Sequence, residues 1–139
     1  MDQGSQDPVG HLPLDAEFER ARMNKVIGFQ ITAMDEGKLL DFYANSFGWK
    51  LSPGPHEHVT NLETGNPDLD GSIIGRGDFI PDYVSLFIES DDIEATIETC
   101  CENGATLVRP RFDLDNGDQL AIIEDPEGHV ITLLRKNVS

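Results

Sequence analysis

One order of elements occurs twice along this chain: strand, helix, then three strands. Lys25–Thr32 (KVIGFQIT) opens the first round, apolar and β-branched as a strand requires. A helix follows, with Leu39, Leu40, Tyr43 and Phe47 recurring at three- and four-residue spacing and Gly48 placed to stop it. Short strands are expected over Trp49–Ser52, His56–Leu62 and Gly71–Ile74, separated by Pro, Gly and Asn turns. Tyr83–Glu89 opens the second round. Asp91 is placed to cap its helix, with Glu94 as capping-box partner; Ile93, Ile97, Cys100 and Cys101 form the apolar stripe, and Gly104 stops it. Ala105–Arg109, Gln119–Glu124 and Val130–Leu134 supply the last three strands. Gly48 and Gly104 lie 56 residues apart, almost the offset of the two leading strands, which points to an internal duplication. Each βαβββ unit leaves one apolar sheet face uncovered, so the two should pair.

A chain of 139 residues suits one domain. Residues 1–23, polar and rich in Pro and Gly before a short helix that Asp15 could cap, read as a flexible lead. Residues 24–139 form the domain, with modules of about 24–78 and 79–139. Acidic residues number 26 against 10 basic ones, a net charge of −16. Such a chain lacks the cationic face that nucleic acid or an anionic membrane requires. No apolar run approaches a membrane span, and the first residues lack the basic and apolar regions of a secretory signal, so a cytoplasmic location is expected. Cys100 and Cys101 are adjacent, a spacing that suits neither a disulfide nor a metal site; they read as reduced thiols, at least one of them buried.

Four motifs, in order over about residues 26–134, give the chain a family resemblance: VIGFQI leading to LLDFYANSFGW, the strand running into SDDIEAT, the turn ENGATLVRP, and EDPEGHVITLL. Together they resemble the vicinal oxygen chelate superfamily, the glyoxalase/bleomycin resistance/extradiol dioxygenase group. The resemblance implies an α+β fold in which two tandem βαβββ modules form a cupped mixed sheet. The Asp125-Pro126-Glu127-Gly128 turn reports that fold rather than chemistry, because Pro126 fixes one φ and Gly128 can take a positive one; His129 beside it reads as structural.

In the resembled superfamily, the cup holds a divalent metal on ligands from the first, fifth and last strands. Carried residue by residue, those positions fall on Gly28, Ser85 and Thr132, none of which is an effective ligand. The implied function is therefore a metal-free protein that binds a small organic molecule in the cup, with no cofactor. Strand alternation places Gln30, Ser85, Phe87 and Thr132 on the inner face, and Trp49, Phe79 and Phe112 are candidates for its rim; Gly28 would leave room where a ligand histidine usually projects. Two alternatives stand beside this reading. One is a metal-dependent lyase, isomerase or dioxygenase with displaced ligands, such as His56 and His58, which on a strand would share one face. The other is a non-catalytic interaction or regulatory module whose cup has become core. The resemblance also implies a homodimer.

Overall fold

The computed structural model describes residues 23–75 and 83–137. Both rounds of the expected order are present. The first contains β1 (Val26–Ala33), α1 (Glu36–Phe47), β2 (Lys50–Pro53), β3 (Val59–Glu63) and β4 (Asp70–Gly75); the second contains β5 (Val84–Glu89), α2 (Ile93–Glu102), β6 (Thr106–Asp113), β7 (Gln119–Glu124) and β8 (Val130–Arg135). All eight strands join one sheet in the order β2-β3-β4-β1-β5-β8-β7-β6. Each module therefore contributes a four-stranded half whose first strand runs parallel to its last: β1 beside β4, and β5 beside β8. The halves meet where β1 and β5 pair antiparallel, so the sheet itself carries the duplication across its midline.

Both helices lie on the same face of the sheet. Helix α1 packs on β2 and β4, and α2 on β6, β7 and β8. Helix α1 starts where the Asp35 carboxylate accepts from the Lys38 amide at 3.1 Å, and it ends at Gly48, whose φ of 73° is cheap only without a Cβ. Under α1, Ala33, Leu62 and Ile73 are buried with Phe29, Ile31, Leu39, Leu40, Tyr43 and Trp49 against them. Under α2, Ile93, Ala121, Ile123 and Leu133 form a second cluster with Ile88, Ile97, Cys100, Ala105 and Ile131. Burying one such Ile or Leu is worth about 1.5–3 kcal/mol, so each helix is held mainly by its own half-sheet.

Several local expectations need correction. Asp92, not Asp91, caps α2: its carboxylate accepts from the Ala95 amide at 3.1 Å, while its backbone is extended at φ −145°. The reason lies one step earlier, where the buried Ser90 accepts from the Asp92 amide and bonds Thr96 at 2.7 Å, delaying helix entry by one residue. Glu94 then closes no capping box; it pairs with Arg111 at 2.8 Å. Neither thiol is fully buried: Cys100 is half-buried in the cluster under α2 and Cys101 is exposed. Burial and the neighbouring Cys101 push the Cys100 thiol above its ordinary pKa, away from thiolate chemistry. The third strand begins at Val59 rather than His56, and β6 runs on to Asp113 instead of stopping at Arg109.

The closing turn is as expected. The Asp125 carboxylate accepts from the amides of Glu127 and His129, each at 2.9 Å, and Gly128 adopts φ 93°. These bonds, together with the His129 ring at 2.9 Å, hold the Asp125 carboxyl below its ordinary pKa. The short helix expected from Asp15 lies outside the described residues.

Candidate functional site

Alternation along each strand separates the two faces of the sheet. On β1, Phe29, Ile31 and Ala33 pack toward α1, which turns Gly28, Gln30 and Thr32 to the opposite face, helix-free among the described residues. On β8, Ile131 and Leu133 pack toward α2, so Thr132 faces the other way; on β5, Ile88 does the same and leaves Ser85 and Phe87 opposite. Register brings these side chains together. Gln30 pairs with Ser72 on one side and Ser85 on the other, while Phe87 pairs with both Gly28 and Thr132. The midline of the helix-free face thus carries Gln30, Ser85, Phe87 and Thr132, drawn from both modules.

The polar members are hydrogen-bonded to one another. The Ser85 and Thr132 hydroxyls lie 3.0 Å apart, with Ser85 fully buried and Thr132 7% exposed. The Gln30 amide nitrogen donates to the Ser72 hydroxyl at 3.1 Å. Beside them, the Tyr83 amide donates to the Thr32 hydroxyl at 2.9 Å, and burial raises the Tyr83 phenol above its ordinary pKa. An ion pair of 3.2 Å joins Lys136, just past β8, to Asp70 at the start of β4. Two strands, β5 and β1, separate those positions, about 14 Å across a flat sheet, so the pair spans the helix-free face and reports its curvature.

The structure moves three expectations. Trp49 is not on this face: it precedes β2 on the helix side, stacked on Tyr43 with ring centroids 5.2 Å apart and planes 6° from parallel. Aromatic area gathered against Phe29 and Tyr43 is better buried under α1 than held at a solvent rim. Gly28 leaves no free space for a side chain, because a Cβ there would run into the Asp70 carbonyl oxygen. His56 and His58 do not share a strand face; they precede β3 in a turn, where His58 is exposed and lies 3.2 Å from Glu36. Phe79 lies outside the described residues. Phe112 is on β6, in register with Leu120 of β7, with the Arg109 guanidinium 3.6 Å from its ring centroid.

Two further residues on this face, Ser72 and Arg109, do not stand out in the sequence. Ser72 could have been found from the alternation of the fourth strand. Arg109 was hidden because strand alternation alone pairs it with Arg111; Pro110 between them was the available sign of an edge strand or bulge.

The donor set does not suit a divalent metal. Gly28, Ser85 and Thr132 offer two mutually bonded hydroxyls and no side chain, and among the described residues no group of three or more His, Cys, Asp or Glu is placed to hold an ion. Two recesses, of about 660 and 370 Å³, lie beside the helices: the first against α2 near Lys25 and Glu89, the second against α1 near Lys38 and Phe42. Neither includes Gln30, Ser85 or Thr132, so the convergent polar groups rather than these recesses mark the candidate site. Among the described residues no helix is long and apolar enough to cross a membrane.

A model of the glyoxalase-like domain matches residues 28–134, covering both modules. The chain is similar to CFP32 of Mycobacterium tuberculosis (strain CDC 1551 / Oshkosh), a protein named as a glyoxylase, with 23% identity over 133 residues, 91% of this chain and 50% of that one. This chain thus spans about half the length of that relative. Among solved structures it is similar to a hypothetical protein of Bacillus halodurans C-125 (TM-score 0.64, 18% identity, 85% of this chain and 98% of that one). It is also similar to a glyoxalase/bleomycin resistance protein/dioxygenase superfamily member from Vibrio splendidus 12B01 (TM-score 0.60, 15% identity, 82% and 100%). The duplicated sheet and the family match converge: the chain belongs to the glyoxalase-like domain family, within the vicinal oxygen chelate superfamily.

Proposed function

We propose that this protein binds a small organic molecule on the helix-free face of its sheet, without a resident metal ion. The observation that carries this reading is that the positions to which the resemblance assigns metal ligands hold Gly28 and a bonded Ser85–Thr132 pair, set beside Gln30. The Gln30 amide and the Thr132 hydroxyl, itself held by the buried Ser85, orient a neutral or singly charged ligand, and Phe87, in register with Gly28 and Thr132, adds an apolar contact. Gln30 commits its amide nitrogen to Ser72, and among the described residues its amide oxygen has no partner, which leaves an acceptor for a ligand donor. A second reading, an interaction module with this face turned into core, draws on the full burial of Ser85.

A small-molecule panel screened by thermal shift in chelator-treated buffer separates the two. A ligand at 100 times its Kd stabilises by about 2.7 kcal/mol, a rise of several degrees in Tm. The binding reading expects such a hit, weakened in Gln30→Ala. A panel that leaves Tm unchanged supports the interaction module, and a rise that appears only with added divalent metal contradicts the metal-free site.

A further inference from the structure

Strand β6 is irregular in a way that changes which side chains face the candidate site. Its pairing with β7 slips twice, between Leu107 and Arg109 and again between Arg109 and Phe112. In a regular strand Arg109 and Arg111 would share one face, with Phe112 on the other. Here Arg111 points to the helix side, where Glu94 holds it at 2.8 Å. Arg109 pairs with Ile122 and Phe112 with Leu120, both on the helix-free face of β7, opposite Ala121 and Ile123 in the α2 cluster. Irregularities of this kind re-aim side chains and recur beside functional sites.

The re-aimed guanidinium stacks on a ring instead of pairing with a carboxylate. Among the described residues Arg109 has no carboxylate partner, and it rests on the Phe112 ring, 3.6 Å from the centroid. Stacking fixes its plane and leaves its N–H fork free to bind a planar anion in bidentate fashion. Register continues from Arg109 through Ile122 to Thr132 and Phe87. Two strand spacings, about 10 Å, separate Arg109 from Thr132, with the apolar Ile122 between them.

Building on the binding role proposed above, we propose that the ligand is an organic monocarboxylate: Arg109 takes its carboxylate, Ile122 and Phe87 its apolar body, and Thr132 with Gln30 its far polar end. A single fork suits one planar carboxylate, and a net charge of −16 opposes a dianionic phosphate.

The test titrates the full chain at pH 7 with 4-phenylbutyrate and its neutral counterpart 4-phenylbutyramide, following backbone amide shifts by NMR. Wild type is expected to bind the acid about tenfold more tightly than the amide, with shifts at Arg109, Ile122 and Thr132. Arg109→Gln should erase that preference, bringing the acid's affinity to about that of the amide, and Arg109→Lys should keep part of it. Arg109 is exposed on an edge strand, so unchanged spectra away from β6 will verify that both variants fold. Equal affinity for acid and amide in wild type would overturn the carboxylate assignment and leave small-molecule binding standing. Tighter binding of phenyl phosphate than of 4-phenylbutyrate would overturn it as well. Failure of every probe to shift the helix-free face would overturn the binding role itself.

Discussion

The two modules share a topology but place their aromatic side chains on opposite faces. In the first, Phe29, Tyr43, Phe47 and Trp49 gather on the helix side, and the edge strand β2 is a four-residue ribbon in unbroken register with β3. In the second, the helix-side core is aliphatic, while the eight-residue edge strand β6 slips twice and presents Arg109 and Phe112 on the other face. A duplicated frame evidently tolerates this divergence because each helix is held by its own half-sheet and only the β1–β5 seam must be shared. The first module has kept its aromatic area for packing; the second presents an aromatic and a cation on the side where Ser85 and Thr132 also lie.

The largest expected effect probes whether the halves are energetically equivalent. Leu133→Ala under α2 and Ile73→Ala under α1 each remove a side chain that is 1% exposed, and each should cost about 2–5 kcal/mol. Urea unfolding should show a single transition for both; two separated transitions would mean that the modules unfold independently.

The next effect concerns the seam. Ser85→Ala leaves the Thr132 hydroxyl without its buried partner and should cost about 1–3 kcal/mol, whereas Ser85→Ala with Thr132→Val should recover most of it. If the double variant loses the sum of the single losses, the two hydroxyls act independently and the midline polar pair is not a unit.

A smaller effect checks the entry to α2. Asp92→Ala should cost about 1 kcal/mol and Asp91→Ala less than about 0.5. The reverse order would restore the cap expected from sequence.

The smallest lies at the closing turn of the second module. Because Asp125 is held below its ordinary pKa, its contribution is complete above the unfolded value of about 3.9 and is lost as pH falls through the lowered folded value. Wild type and Asp125→Asn should therefore converge in Tm on acidification below pH 4; parallel curves down to pH 2 would remove that role.

The repeat was legible because it rests on local signals. Gly48 and Gly104 stop the helices, and hydrophobic spacing sets which helix faces pack. The inner residues Gln30, Ser85, Phe87 and Thr132 were legible too, since β1, β5 and β8 alternate regularly through those positions. Three features were not. Trp49 reads as a rim residue because spacing cannot report its tertiary stack with Tyr43. The crowding at Gly28 comes from the backbone of β4, 42 residues away in sequence. Arg109 depends on the slips in β6, and inserting one residue into a strand inverts every later prediction of facing.

Metal content after equilibrium dialysis decides whether Gly28, Ser85 and Thr132 can hold an ion. Purified protein dialysed against zinc, nickel or iron(II) and then exchanged into metal-free buffer should retain far less than one equivalent, while still binding its organic ligand. One tightly held equivalent, lost in Ser85→Ala or Thr132→Val, would contradict the account.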